Sequence, residues 1–166
     1  MQQQSNSNYI IATDASLNIL SNQPNYGWAY IVYNKNGSRV HQNFGRTSFS
    51  TINKSEIYAI KKALDFIIEF KIKDATFEFI IDNNGSYNIL NGFATPKNNI
   101  NLWLTIKNSI NYIESKNKLI FTKVKSHSEN KFNDEVDALA KQSARAFSLS
   151  SLKHFWNNNK EEKING

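Results

Sequence analysis

The apolar residues are spaced in two ways along the chain, and the changes of spacing divide it into elements. The stretch "YIIATDAS", residues 9–16, is apolar on both faces and predicts a central strand that ends near Asp14. Residues 26–48 carry two further β-rich runs separated by "NKNG", a turn sequence that predicts a hairpin. The period then lengthens: Ile57, Ile60, Leu64, Ile67 and Ile68 share one stripe, so residues 54–70 predict an amphipathic helix. "ATFEFIID", 75–82, predicts another strand, followed by a short helix near 84–92. Pro96 breaks the chain before a second long helix over 100–116. A strand over 118–125 and a helix over 132–147 complete the pattern. The order β-β-β-α-β-α-α-β-α has no repeat and no internal linker. It predicts an α/β domain over 8–147, one mixed sheet with helices on both faces. Residues 1–7 and 148–166, rich in Asn, Ser, Gln and Lys, predict flexible ends.

Composition narrows the chemistry. The 166 residues include no cysteine, which leaves out disulfides and thiolate zinc sites. The net charge of +6 favours a polyanionic partner. No apolar run approaches the ~20 residues of a membrane span. The opening "MQQQSNSN" has neither the basic nor the apolar region of a signal peptide. An intracellular location, cytoplasmic or nuclear, is expected on that pattern, with no membrane partner.

Four acids occupy informative positions. Asp14 and Asp82 each follow an apolar strand run, so parallel neighbours would bring both to one sheet edge, where α/β folds build their sites. Glu56 lies one turn before Ile60 on the inward stripe, and Asp137 borders the stripe of Phe132, Val136, Leu139, Ala140 and Ser143. Each has an ordinary reading when taken alone, as a turn or helix cap or a solvated charge. Together they predict a cluster whose mutual repulsion a hard divalent cation would relieve. Mg²⁺ prefers oxygen ligands and can also hold a phosphate oxygen.

The series "TDAS", "TINKSEIYAI", "IIDNN", "KVKSHS" and "NDEVDALAK" resembles type 1 ribonuclease H over residues 8–145. The nine-residue gap between His127 and Asp137, with "NDEVDALA" around the latter, is the most specific element. The resemblance implies a ribonuclease H-like five-stranded sheet, three strands antiparallel and two parallel. It also implies hydrolysis of the RNA strand of RNA–DNA hybrids to 5′-phosphate and 3′-hydroxyl products with two Mg²⁺ ions, for which Mn²⁺ can substitute. Asp14, Glu56, Asp82 and Asp137 would be the metal ligands, with Asp14 bridging, and His127 would assist proton transfer from a loop. Thr51 and Asn99 fall where the family binds a DNA phosphate, and Asn53, Asn83 and Asn84 fall where contacts to the minor groove are expected.

The chain departs from the family pattern at Ala15 for glycine, at Asn83 for serine, and at Ile52 for an asparagine that commonly reads the hybrid. Ile52 at a helix entrance reads equally well as a core or staple residue packing under that helix. The segment between Asp82 and His127 lacks the helical handle of some members, so a handle-lacking form is expected. A monomer is expected too, alone or within a replication or reverse-transcription assembly. Three other readings stay open: the ribonuclease H domain of a reverse transcriptase polyprotein, a nuclease of the wider superfamily acting on DNA, and a non-catalytic nucleic-acid-binding domain.

Overall fold

The computed structural model describes residues 7–20, 23–47, 51–124 and 130–145. Strands β1 (Ser7–Leu20), β2 (Gln23–Asn34) and β3 (Arg39–Thr47) are followed by helix α1 (Ile52–Glu69) and strand β4 (Ala75–Ile81). Helices α2 (Asn84–Leu90) and α3 (Ile100–Glu114), strand β5 (Lys118–Lys123) and helix α4 (131–145) complete the described chain. The sheet order is β3-β2-β1-β4-β5. β1 pairs antiparallel with β2 and parallel with β4, and β4 pairs parallel with β5. This is the five-stranded mixed sheet expected from the pattern. His127 and the expected flexible ends, apart from Ser7, lie outside the described residues.

Both faces of the sheet are covered, and the two-residue period of β2 shows how. Trp28, Tyr30 and Val32 join the core made with α1 and α3, while Ala29, Ile31 and Tyr33 join a second core with Val136, Leu139 and Ala140 of α4. The second core is built from smaller residues, and α4 comes very close to the sheet. A Cβ on Gly27 of β2 would stand 2.5 Å from Ala144 N and 2.6 Å from Ala140 O, so only glycine admits the helix backbone at this distance. Ser143 Oγ donates to Gly45 O at 2.8 Å, and Arg39 and Tyr33 both hold Glu135, which ties α4 to β2 and β3.

Helix α1 starts where Thr51 Oγ1 accepts from Lys54 N at 3.1 Å, an N-cap that satisfies one of the first free amides. Asn117 joins the two connections at the opposite sheet end: its Nδ2 donates to Ile72 O at 2.8 Å and its Oδ1 accepts from Ala75 N at 3.1 Å.

Two local expectations need correction. Asp14 does not end its strand, because β1 runs on to Leu20 in register with β2. Backbone pairing extends this part of the strand although Leu17 and Ile19 stay exposed. Ile52 is 40% exposed at the first position of α1, so it is no core residue.

Candidate active site

The parallel ladder between β1 and β4 ends at the pair Ala12–Ile80. Two residues further along each strand direction stand Asp14 and Asp82, so the register itself sets the two acids side by side. β4 stops at Ile81, and Asn83 caps α2 by accepting from Ser86 N at 2.8 Å. The same asparagine donates from Nδ2 to Glu56 Oε2 at 2.8 Å, which draws the α1 acid to the β4 end. Thr13, Asp14, Glu56, Asp82, Asn83 and Ser86 line one small cavity, with Ile60 and Ile81 as its apolar wall. Asp137 arrives from the other face on α4, within hydrogen-bonding reach of Asp14, and holds Lys141 Nζ at 2.9 Å.

The electrostatics follow from burial and crowding. Burial raises the Asp14 carboxyl from 3.8 to about 8, opposed by the Ala15 amide and reinforced by the hydrogen bond to Asp137 and the charges of Asp137 and Asp82. Burial likewise raises Glu56 to about 7, with the Asp82 charge adding and the Asn83 amide opposing. Lys141 is shifted up by its hydrogen bond to Asp137. Carboxylates that resist ionisation together form a donor set that a hard cation suits, since oxygen ligands and added positive charge are what they lack.

The donors are not gathered into a ready cage. Among the described residues no three Asp, Glu or His side chains stand together closely enough to hold an ion. Glu56 is turned to Asn83 and Asp137 to Lys141, so these bonds have to yield before both side chains can bind one.

The other sequence candidates separate. Asn83 belongs to the cavity, where both ends of its amide are engaged by the protein. Thr51 is the α1 cap, and Asn53 and Asn84 are exposed in the first turns of their helices. Asn99 precedes α3 in the left-handed conformation, at φ 54°, with no side-chain capping bond. Of the two aspartates in α4, Asp134 is exposed and Asp137 alone reaches Asp14. Asp137→Asn is therefore expected to lose about tenfold more activity at limiting Mg²⁺ than Asp134→Asn, a ~1.4 kcal/mol difference in barrier. Titrating Mg²⁺ against both variants checks this, and a larger loss for Asp134→Asn would move the site along the helix.

Four residues of this neighbourhood escape sequence reasoning. Lys141 has a signal, its i+4 spacing from Asp137. Lys123 is signalled only by its position at a strand end; its ammonium donates to Asp82 O at 2.7 Å and to Val124 O at 2.9 Å. Ser86 and Gly27 leave no local pattern.

None of the curated proteins matches this chain. Solved structures do. LC11-RNase H1, isolated from compost by a metagenomic approach and solved with an RNA/DNA hybrid, superposes with a TM-score of 0.70 at 18% identity, over 83% of this chain and 97% of its own. The N-terminal RNase H domain of a Mycobacterium tuberculosis protein gives 0.70 at 14%, over 87% and 99%. The foamy viral protease-reverse transcriptase with an RNA/DNA hybrid gives 0.68 at 17%, over 82% of this chain and 20% of its own. At such identities the likeness is one of fold. The RNase H family model matches residues 6–145, a span that contains every described residue. With that match, the chain belongs to the RNase H family.

Proposed function

We propose that this chain is a divalent-cation-dependent endoribonuclease that cuts the RNA strand of an RNA–DNA hybrid, leaving a 5′-phosphate and a 3′-hydroxyl. The carrying observation is the pair Asp14 and Asp82 at the end of the β1–β4 ladder, with Glu56 and Asp137 delivered from helices on opposite faces. Asp14, Glu56, Asp82 and Asp137 would hold the Mg²⁺ ions, two on this reading. When bound, the cations supply charge to the scissile phosphate and activate water.

The chain's own groups have separate tasks. Asn83 orients Glu56, and Lys123 fixes the backbone carbonyl of Asp82. Lys141 holds Asp137 until the site is loaded. His127 would move protons near the leaving oxygen. The surplus of positive charge draws the hybrid's backbone, and a monomer suffices for all of this.

A second reading, the ribonuclease H domain of a longer reverse transcriptase, is supported by the foamy viral structure, of which this chain spans only a fifth. The test of function is cleavage of a labelled RNA–DNA hybrid beside RNA–RNA and DNA–DNA duplexes, with Mg²⁺ and with EDTA. Mg²⁺-dependent cutting confined to the hybrid's RNA strand is expected. Cleavage of DNA–DNA duplex would indicate a DNA nuclease, and hybrid binding without cleavage a non-catalytic domain.

A further inference from the structure

The cavity between the acids contains a polar atom with no partner. Ser86 Oγ is buried, the residue being 2% exposed, and it makes no hydrogen bond. It lies one turn after Asp82 and lines the same cavity as Asp14, Glu56, Asp82 and Asn83. An orphaned buried hydroxyl is costly, and alanine would occupy the position without that cost. A serine near a helix start can return its hydroxyl to the carbonyl four residues back. Here that carbonyl belongs to Asp82 and is taken by Lys123 Nζ at 2.7 Å. The Oδ1 of Asn83 is likewise engaged, by the Ser86 amide at 2.8 Å. Neither of these bonds involves the Ser86 hydroxyl, and its oxygen lines the cavity without a partner.

We propose that Ser86 is a further binding group of this site, its hydroxyl oxygen accepting a hydrogen bond from water carried by a divalent cation held among Asp14, Glu56 and Asp82. The inference rests on the cation-dependent reading given above. Mg²⁺ gives up its water reluctantly, so a cation bound by carboxylates presents strongly polarised O–H donors to the walls around it. A neutral oxygen accepts from such water without adding negative charge to a crowded acidic site. A carboxylate at position 86 would deepen the repulsion, and an alanine would leave the water unpaired.

The test compares the wild-type chain, Ser86→Ala and Asp82→Asn by calorimetric Mg²⁺ titration and by thermal melts with and without Mg²⁺. Metal-free Ser86→Ala is expected to melt at or above the wild-type temperature. Its Mg²⁺ dissociation constant should rise about fivefold, the loss of one net hydrogen bond, and the Mg²⁺-induced gain in Tm should shrink. Asp82→Asn should lose most of its Mg²⁺ binding. Equal Mg²⁺ affinity in wild type and Ser86→Ala overturns the proposal, and so does a lower Tm of the metal-free variant, which would make the hydroxyl part of the fold. Failure of the wild type itself to bind Mg²⁺ would remove the cation-dependent reading, and this proposal with it.

Discussion

Replacing Asp14 by asparagine is expected to abolish hydrolysis and to stabilise the metal-free protein at once. The folded state holds the Asp14 carboxyl at about 8 against 3.8 for a free side chain. The native state therefore favours the protonated form. Its contribution is present below pH 4 and is lost as pH rises through the window from 4 to 8, where the unfolded chain ionises and the native site resists. Asparagine removes the charge while its carbonyl oxygen can still accept from Ala15 N–H, the bond that Asp14 Oδ1 makes at 2.9 Å. Relief of half the shift is worth about 3 kcal/mol, or about 5–10 °C in Tm for a chain of this length. Activity should fall by about a thousandfold or more, because the central acid is gone. The check is a pair of melting curves and a cleavage assay across pH. The stability gap between variant and wild type should vanish near pH 4 and be widest above pH 8; a gap constant over that range would sink the electrostatic account. In the wild type, Mg²⁺ should bind more tightly from pH 6 to 8, since Asp14 and Glu56 have to lose protons to bind it.

Gly27→Ala is expected to damage both stability and turnover from a position outside the cavity lining. The added methyl meets Ala144 N and Ala140 O, atoms of the α4 backbone that cannot rotate away. Either α4 lifts or β2 bends, at a cost of about 1–3 kcal/mol and a fall of several degrees in Tm. Lifting α4 draws Asp137 away from Asp14, and a displacement near 1 Å can cost about a hundredfold in rate. Adding Ala144→Gly in the same chain should not restore either quantity, because the clash is with backbone. Recovery of wild-type Tm and rate in that double variant would count against the close approach at Gly27.

The order of elements was legible because each change of period is physical: both faces of β1 are covered, and α1 turns one stripe inward. Asp14 and Asp82 are legible together because parallel strands carry end residues to one edge, and Glu56 because its helix stripe faces inward; the place of Asn83 beside them is not. The length of β1 was less legible. Leu17 and Ile19 alternate with polar residues yet stay exposed, and backbone pairing with β2, not burial, keeps that part extended. Thr51, expected near a DNA phosphate, also caps α1, a role that a threonine just ahead of a helix commonly takes. Ser86, Lys123 and Gly27 were silent because their significance lies in distances to residues far along the chain. The exposure of Ile52 at the first position of α1 speaks against the core reading.

The hydrogen bond from Ser143 to Gly45 joins residues 98 apart, and the contact of Glu135 with Tyr33 spans 102. The antiparallel strands and α1 are near one another in sequence, and closing their short loops costs little chain entropy. α4 has to return from much farther along the chain to reach β2 and β3. Docking of α4 therefore belongs with the late, long-range steps of folding, and it supplies Asp137. A nascent chain stopped before α4 would carry Asp14, Glu56 and Asp82 and still lack the fourth acid. The order of synthesis thus keeps the complete acidic set from forming until the C-terminal helix of the described chain has emerged.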